Sequence, residues 1–248
     1  MAFFQCNYRS EVLQMDVNVN VLVPQHLHKG EKVKTLYLLH GYSGNFTNWI
    51  RLTNIERYAD AKRIAVIMPD VSNSYYTDMA AGYKYFTYLT EELPQMVNST
   101  FPLSTDREDT YVAGLSMGGY GALKCALTYP ERYCMASSLS GALDVDNLAN
   151  RFQEERTAYF KGIFGDDPIK NTNNDLHHLI KEIIQEKRQM PEIFIGCGTE
   201  DFLYEDNQKF RTFLDQLNVS YTYKESKGEH NWEFWDAYIK YTLDWMFQ

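Results

Sequence analysis

Cysteine is scarce in this chain: four in 248 residues, Cys6, Cys125, Cys134 and Cys197, each standing alone with no C-x-x-C pair. That spacing excludes a disulfide framework and suits a reducing cytoplasm. Cys125 and Cys134 fall in apolar helix and strand patterns, where a buried inert thiol is expected ahead of the alternative, a catalytic one. Basic residues are also in deficit, 24 against 33 acidic, for a formal net charge of -9. Such a surface cannot readily displace counterions from nucleic acid or settle on an anionic membrane, so no nucleic-acid or membrane partner is expected and neutral substrates are. Long apolar runs are missing too. Nothing approaches the roughly eighteen consecutive apolar residues of a membrane-spanning helix, and the opening Met-Ala-Phe-Phe-Gln-Cys-Asn-Tyr-Arg has neither a basic leader nor a long apolar segment. A cytoplasmic protein is the expectation. Histidine numbers only six, so clustered metal ligands are few: His26-Leu-His28 has no third ligand nearby, the pair His177-His178 is no better placed, and no metal is expected.

What is present fills one α/β domain. With 44% hydrophobic residues the chain can bury a full core, and nothing within residues 1–248 reads as a linker, repeat or low-complexity tract. Alternating apolar residues predict strands over 3–8 and 12–23, the second carrying Met15, Val17, Val19, Val21 and Val23 on one face before Pro24 ends it. Continuous apolar runs at 35–39, 64–68, 133–141 and 191–198 read as strands buried on both faces of a parallel sheet. Helical spacing covers 47–61, 89–97, 175–187 and 203–217, with a last strand at 219–224 and a closing helix at 233–247. This alternation predicts a mostly parallel central sheet with helices on both faces, whose ligands bind outside the carboxyl ends of the strands. The least regular stretch, 144–174, leaves a central strand, and an insertion around 142–175 is where a cap over a pocket is expected. A surface excursion with no catalytic role fits the same residues.

The most informative stretch is Thr110-Tyr-Val-Ala-Gly-Leu-Ser116-Met-Gly-Gly-Tyr-Gly-Ala-Leu-Lys-Cys-Ala-Leu-Thr-Tyr129: a short apolar strand, a tight turn and a helix. Gly114, Ser116 and Gly118 spell G-x-S-x-G, the pattern of a nucleophile elbow that exposes a serine hydroxyl on a strained strand-to-helix corner. Side chains at 114 or 118 would collide where strand and helix cross, and Gly119 and Gly121 are expected to let the helix lie close to the sheet. Gly-rich turns of this kind are common in α/β proteins, so the motif needs partners.

A serine hydroxyl needs an imidazole to take its proton and a carboxylate to orient that imidazole. On this fold the chain order is Ser, then Asp or Glu, then His. Asp201, just past the strand ending at Gly198, and His230, in the loop after the last strand, fill that order. Asp201 also reads as a plain helix cap, His230 as an ordinary loop histidine. Asp166, Asp167 and Asp206 are rivals for the acid, and His40, at a strand end, is the rival base. Attack on an ester creates an oxyanion that two backbone amides normally hold; Met117 follows the serine, and the second amide should come from the loop His40 to Gly44.

Four blocks together, Leu38-Leu-His40-Gly41-Tyr-Ser-Gly44, Gly114-Leu-Ser116-Met-Gly-Gly-Tyr-Gly121, Gly198-Thr-Glu-Asp201 and Gly228-Glu-His230-Asn-Trp-Glu-Phe-Trp235, resemble the esterase D group of α/β-hydrolases, bacterial tributyrin esterases above all. That group is similar to S-formylglutathione hydrolases, feruloyl and acetyl esterases, and mycolyltransferases. The resemblance covers nearly the whole chain. It implies Ser116 as nucleophile, Asp201 as orienting acid, His230 as general base, and an oxyanion hole at Tyr42 and Met117 with Gly41 beside them. It implies no metal or organic cofactor. Tyr42, Tyr75, Tyr76 and Trp232 are the candidate substrate contacts, with packing against the core or cap the favoured reading for most rings of the aromatic stretch 75–86, and short acyl chains on a polar alcohol or carbohydrate are the expected substrates. Ser43 and Gly44 depart from the Leu-Thr-Cys-type continuation of the formylglutathione enzymes, which weakens the thioester reading. Acyl transfer on the same triad and a non-catalytic carbohydrate-binding protein are the alternatives, and self-association into a homo-oligomer stays open.

Overall fold

The computed structural model describes residues 1–151 and 153–247; Phe152, inside the expected cap, and Gln248 lie outside the described residues. Strands written almost wholly in apolar residues can hide both faces only in the middle of a covered sheet. Here β1 (Ala2–Ser10), β2 (Met15–Val23), β3 (Thr35–Leu39), β4 (Ala65–Pro69), β5 (Thr110–Leu115), β6 (Met135–Leu139), β7 (Glu192–Gly198) and β8 (Thr222–Ser226) form one sheet in the order β1-β2-β4-β3-β5-β6-β7-β8. The β1/β2 and β2/β4 pairs are antiparallel and the others parallel. This is the α/β-hydrolase architecture expected from the sequence.

The helices are α1 (Asn48–Leu52), α2 (Ile55–Lys62), α3 (Tyr85–Thr87), α4 (Leu93–Thr100), α5 (Met117–Thr128), α6 (Val145–Arg151), α7 (Gln153–Phe164), α8 (Leu176–Glu186), α9 (Tyr204–Gln216) and α10 (Trp232–Met246). Because side chains alternate across a strand, β3 feeds two cores. Leu36 and Leu38 pack with Trp49 of α1, Ile55 of α2 and Ile239 of α10. Tyr37 and Leu39 pack on the other face with Val97 of α4, Leu123 of α5, Ile180 of α8 and Leu214 of α9. No helix of the described residues is long and apolar enough to cross a membrane.

The structure departs from the sequence reading in four places. The helix expected over 47–61 is two, because the Thr53 hydroxyl donates to the Trp49 carbonyl and accepts from the Ile55 amide, closing α1 and opening α2. The helix expected at 89–97 starts earlier and includes a π-turn at Tyr88–Glu92. The last strand begins at Thr222 because the Val219 amide bonds the Leu214 carbonyl and finishes α9. The irregular stretch 144–174 carries α6 and α7; the aromatic residues of α7 gather in its last turns as Tyr159, Phe160 and Phe164, so no helical repeat is visible along it.

Four carboxyl ends meet at one edge: the loop after β3, the turn after β5, and the segments after β7 and β8. The chain leaves β3 toward β4 and β5 toward β6, on opposite sides, so a crevice opens between β3 and β5. Close approach is enforced there by two glycines. A Cβ on Gly114 would collide with the Gly118 carbonyl, and one on Gly118 with the carbonyls of Leu39 and His40. None of these backbone atoms can swing aside, so Gly118→Ala is expected to cost about 2 kcal/mol or more and to lower Tm by roughly 4 °C or more. Thermal unfolding of the variant checks this, and an unchanged Tm contradicts it.

Candidate active site

Ser116 sits between β5 and α5 with φ 53 and ψ -116, a conformation that L-residues avoid. Three backbone bonds hold it: its amide donates to the Leu139 carbonyl at 2.8 Å, and its carbonyl accepts from Tyr120 and Ala142, each at 3.1 Å. Its hydroxyl lies 2.9 Å from His230 Nε2, and His230 Nδ1 lies 2.8 Å from Asp201 Oδ2 and 3.0 Å from Oδ1. The carboxylate can only accept, so the ring proton sits on Nδ1 and Nε2 is left to accept from Ser116.

Asp201 is not the cap of α9, whose N-cap position is Leu203 and has no side-chain cap bond. Its Oδ1 also accepts from the Leu203 amide at 2.8 Å, bracing the turn that enters α9. The carboxylate is buried, while the imidazole is 18% exposed and faces the cavity. Two rings fix the imidazole plane: Phe202 at 4.6 Å and Trp235 at 4.9 Å, edge-on, the latter anchored by its indole N–H to Ser140 Oγ at 3.1 Å.

The rival base, His40, is 1% exposed and spends both ring nitrogens on backbone. Nε2 accepts from the Val71 amide at 3.2 Å, so Nδ1 carries the proton and donates to the Gly41 carbonyl at 2.8 Å. Burial pulls its pKa below the usual histidine value, against the opposing pull of the Gly41 carbonyl and Asp70. This fixes a direction. The Gly41 carbonyl, which also accepts from the Gly44 amide at 3.1 Å, shares a planar trans peptide with the Tyr42 N–H, which must therefore point the opposite way. Met117 opens α5, so its N–H has no acceptor within the helix.

Ser116 and His230 open on a cavity of about 290 Å³, whose lining does not include Asp201, His40 or Met117. Of the expected contacts, Gly41, Tyr42, Tyr75 and Trp232 line it with Ser116 and His230. Tyr76 does not: it is fully buried, its ring packs where a Cβ on Gly121 would stand, and its hydroxyl donates to the His40 carbonyl at 2.8 Å. Gly121 thus makes room for a ring rather than for the sheet, a correction to two sequence expectations at once. Phe202, Leu203, Leu148, Ala142 and Trp235 also line the cavity and were missed. Phe202 and Leu203, next to Asp201, and Trp235, at the end of the block that carries His230, had a positional signal; Leu148 and Ala142 had none.

The remaining candidates lie elsewhere. Asp166 is exposed and paired with Lys161 at 2.8 Å, and Asp167 is exposed. Asp206 is buried in α9, gripped by Arg151 Nη2 at 2.6 and 2.7 Å. Burial pushes the Cys125 thiol up to about 12, as for an inert packing residue. His177 pairs with Asp175 at 3.3 Å and His178 with Glu182 at 3.4 Å.

A family model described as "Putative esterase" matches residues 10–245. The chain belongs to this esterase family. An acetyl esterase of Caldicellulosiruptor saccharolyticus is 33% identical over 99% of this chain and 98% of its own length. A substrate-bound fluorophosphonate-binding serine hydrolase of Staphylococcus aureus aligns with TM-score 0.94 at 37% identity, covering 100% of this chain and 98% of its own. An S-formylglutathione hydrolase of the same species aligns with TM-score 0.91 at 37% identity, covering 100% and 99%. The present esterase is a serine carboxylic ester hydrolase.

In this esterase the Arg151–Asp206 grip fastens the segment after β6 to α9, whose N-terminal side carries Asp201. Arg151→Ala strips the buried carboxylate of its cation, leaving the Asn147 amide at 3.4 Å. Because Arg151 is 40% exposed, the expected loss is discounted to about 1 to 3 kcal/mol. Urea unfolding measures it; an unchanged midpoint would show that the pair contributes nothing.

Proposed function

We propose that the protein hydrolyses short-chain acyl esters, acetyl to butyryl, of small alcohols or carbohydrates through an acyl-enzyme on Ser116. The observation that carries this reading is the unbroken run Asp201–His230–Ser116, 2.8 and 2.9 Å per link, opening on a cavity at the lower end of the roughly 300–1,000 Å³ of small-molecule pockets.

Ser116 Oγ attacks the acyl carbonyl while its proton passes to His230 Nε2. Asp201 keeps the ring in the required tautomer and stabilises the imidazolium. The N–H groups of Tyr42 and Met117 receive the oxyanion, a contribution worth on the order of a hundredfold to a thousandfold per donor. His230 then returns its proton to the departing alcohol, and water repeats the sequence to free the acid. The segment 142–175 acts as the cap, contributing Leu148 to the wall.

Ser116→Ala is expected to lower turnover of p-nitrophenyl acetate or butyrate by about 10⁴-fold or more with Tm retained. Turnover within tenfold of wild type, an order-of-magnitude threshold on that scale, refutes the assignment. Across an acetyl-to-octanoyl panel, kcat/KM should fall beyond butyryl by about tenfold or more; a steady rise to octanoyl rules out the short-acyl reading.

A second reading has a specific observation behind it, the 37% identity to an S-formylglutathione hydrolase. The same chemistry cleaves a thioester, and Ser43 and Gly44 weigh against it. Assay of S-formylglutathione beside p-nitrophenyl acetate decides between them by the larger kcat/KM.

A further inference from the structure

Lys124 lies two turns into α5 from Ser116 and is only 2% exposed. Its Nζ donates to the Tyr76 carbonyl at 3.0 Å, the Thr77 hydroxyl at 3.0 Å and the Asn174 side-chain carbonyl at 2.7 Å. An ammonium has three N–H donors and no acceptor, so this cage of neutral oxygens matches the charged form. The Phe86 ring, 4.4 Å from Nζ, adds cation–π attraction. Burial pulls the pKa down to about 7, which marks the desolvation an apolar side chain of the same length would avoid.

What the cation holds accounts for its burial. Tyr75 and Tyr76 are consecutive residues with φ near 50, a left-handed pair that non-glycine residues adopt only where the surroundings over-determine it. Lys124 bonds the carbonyl of the second and the side chain of the next residue. The turn has two outcomes. It puts the Tyr75 ring in the cavity wall, and it sends the Tyr76 ring beneath Gly121 so that its hydroxyl reaches the His40 carbonyl. That carbonyl belongs to the peptide entering Gly41, one peptide before the Tyr42 N–H.

We infer that Lys124 is a positioning residue for ester hydrolysis: its ammonium locks the Tyr75–Tyr76 turn, and the Tyr76 hydroxyl thereby holds the His40–Gly41 peptide that aims the Tyr42 amide at the oxyanion. The inference rests on the reading of Ser116 as nucleophile with Tyr42 and Met117 as oxyanion donors.

A double-mutant cycle tests it, with Lys124→Met removing the charge and Tyr76→Phe removing one oxygen while keeping the ring. The readouts are kcat and KM for p-nitrophenyl acetate and Ki for a trifluoromethyl ketone, whose hemiketal with Ser116 places an oxyanion at the same amides. Each single variant should lose about tenfold to hundredfold in kcat with KM within about twofold. Ki should rise in step with the loss of kcat, and the double variant should lose no more than Lys124→Met alone. Wild-type kcat in folded Lys124→Met, or losses that multiply in the double variant, overturn the inference. Should Lys124→Met fail to fold, Thr77→Val, which deletes one of the three acceptors, takes its place in the cycle with the same expectations. Failure of the underlying reading looks different: wild type itself would neither hydrolyse the ester nor label at Ser116 with a fluorophosphonate.

Discussion

A single residue in a forbidden backbone region governs the arrangement of this esterase. Ser116 at φ 53 and ψ -116 stores strain on the order of 1–3 kcal/mol, and the surroundings must hold it. They do so through three backbone bonds to Leu139, Tyr120 and Ala142 and through the contact of Gly114 with Gly118. That contact permits no side chain at either position. The return is geometric. The corner turns the hydroxyl away from the sheet, brings the first amide of α5 beside it, and aligns the positive end of the helix with the same point. Everything else at the site is arranged around a fixed oxygen.

The buried polar groups around that corner divide by what they are allowed to do. His40, Asp206 and Lys124 have every strong interaction directed at protein atoms: His40 at two backbone groups, Asp206 at Arg151 and Asn147, Lys124 at three oxygens. Groups so occupied are structural pins. His230 differs in having one nitrogen tied to a buried carboxylate and the other directed at a hydroxyl in the cavity. Of two histidines near the same sheet edge, the one with a single committed nitrogen is the one able to shuttle a proton.

This distinction explains what the sequence could and could not yield. Ser116, Asp201 and His230 were legible because each follows a recognisable strand, and strand ends converge on one edge in any parallel sheet. His40 satisfied the same rule, and position alone could not separate it from His230, since the difference lies in what each ring nitrogen touches. Tyr75 and Tyr76 show the same limit. Adjacent and chemically identical, they part at a left-handed turn that no local pattern signals, one into the cavity wall and the other under α5. Leu148 and Ala142 were missed because they come from the excursion after β6, whose aromatic residues cluster instead of repeating. The break between α1 and α2 turned on a threonine hydroxyl, which competes with the helix ladder without changing the apolar period.

The excursion and the loop after β3 are joined through Asn73. Its carbonyl accepts from the Tyr159 hydroxyl of α7, and its side-chain oxygen accepts from the Ser43 amide at 2.7 Å. Tyr159 also meets the Tyr42 ring edge-on at 5.7 Å. The excursion that supplies Ala142 and Leu148 to the cavity wall is thus bonded, through α7, to the loop that carries Tyr42. On the proposed mechanism, room and rate are consequently not independent. If the Tyr42 amide holds the oxyanion as proposed, an excursion displaced to admit a longer chain would pull on Asn73, and through Ser43 on the peptide next to Tyr42, and a larger cavity would come at the expense of a well-aimed amide. On the proposed mechanism, that coupling favours small acyl groups on mechanical grounds, apart from any apolar complementarity of the walls.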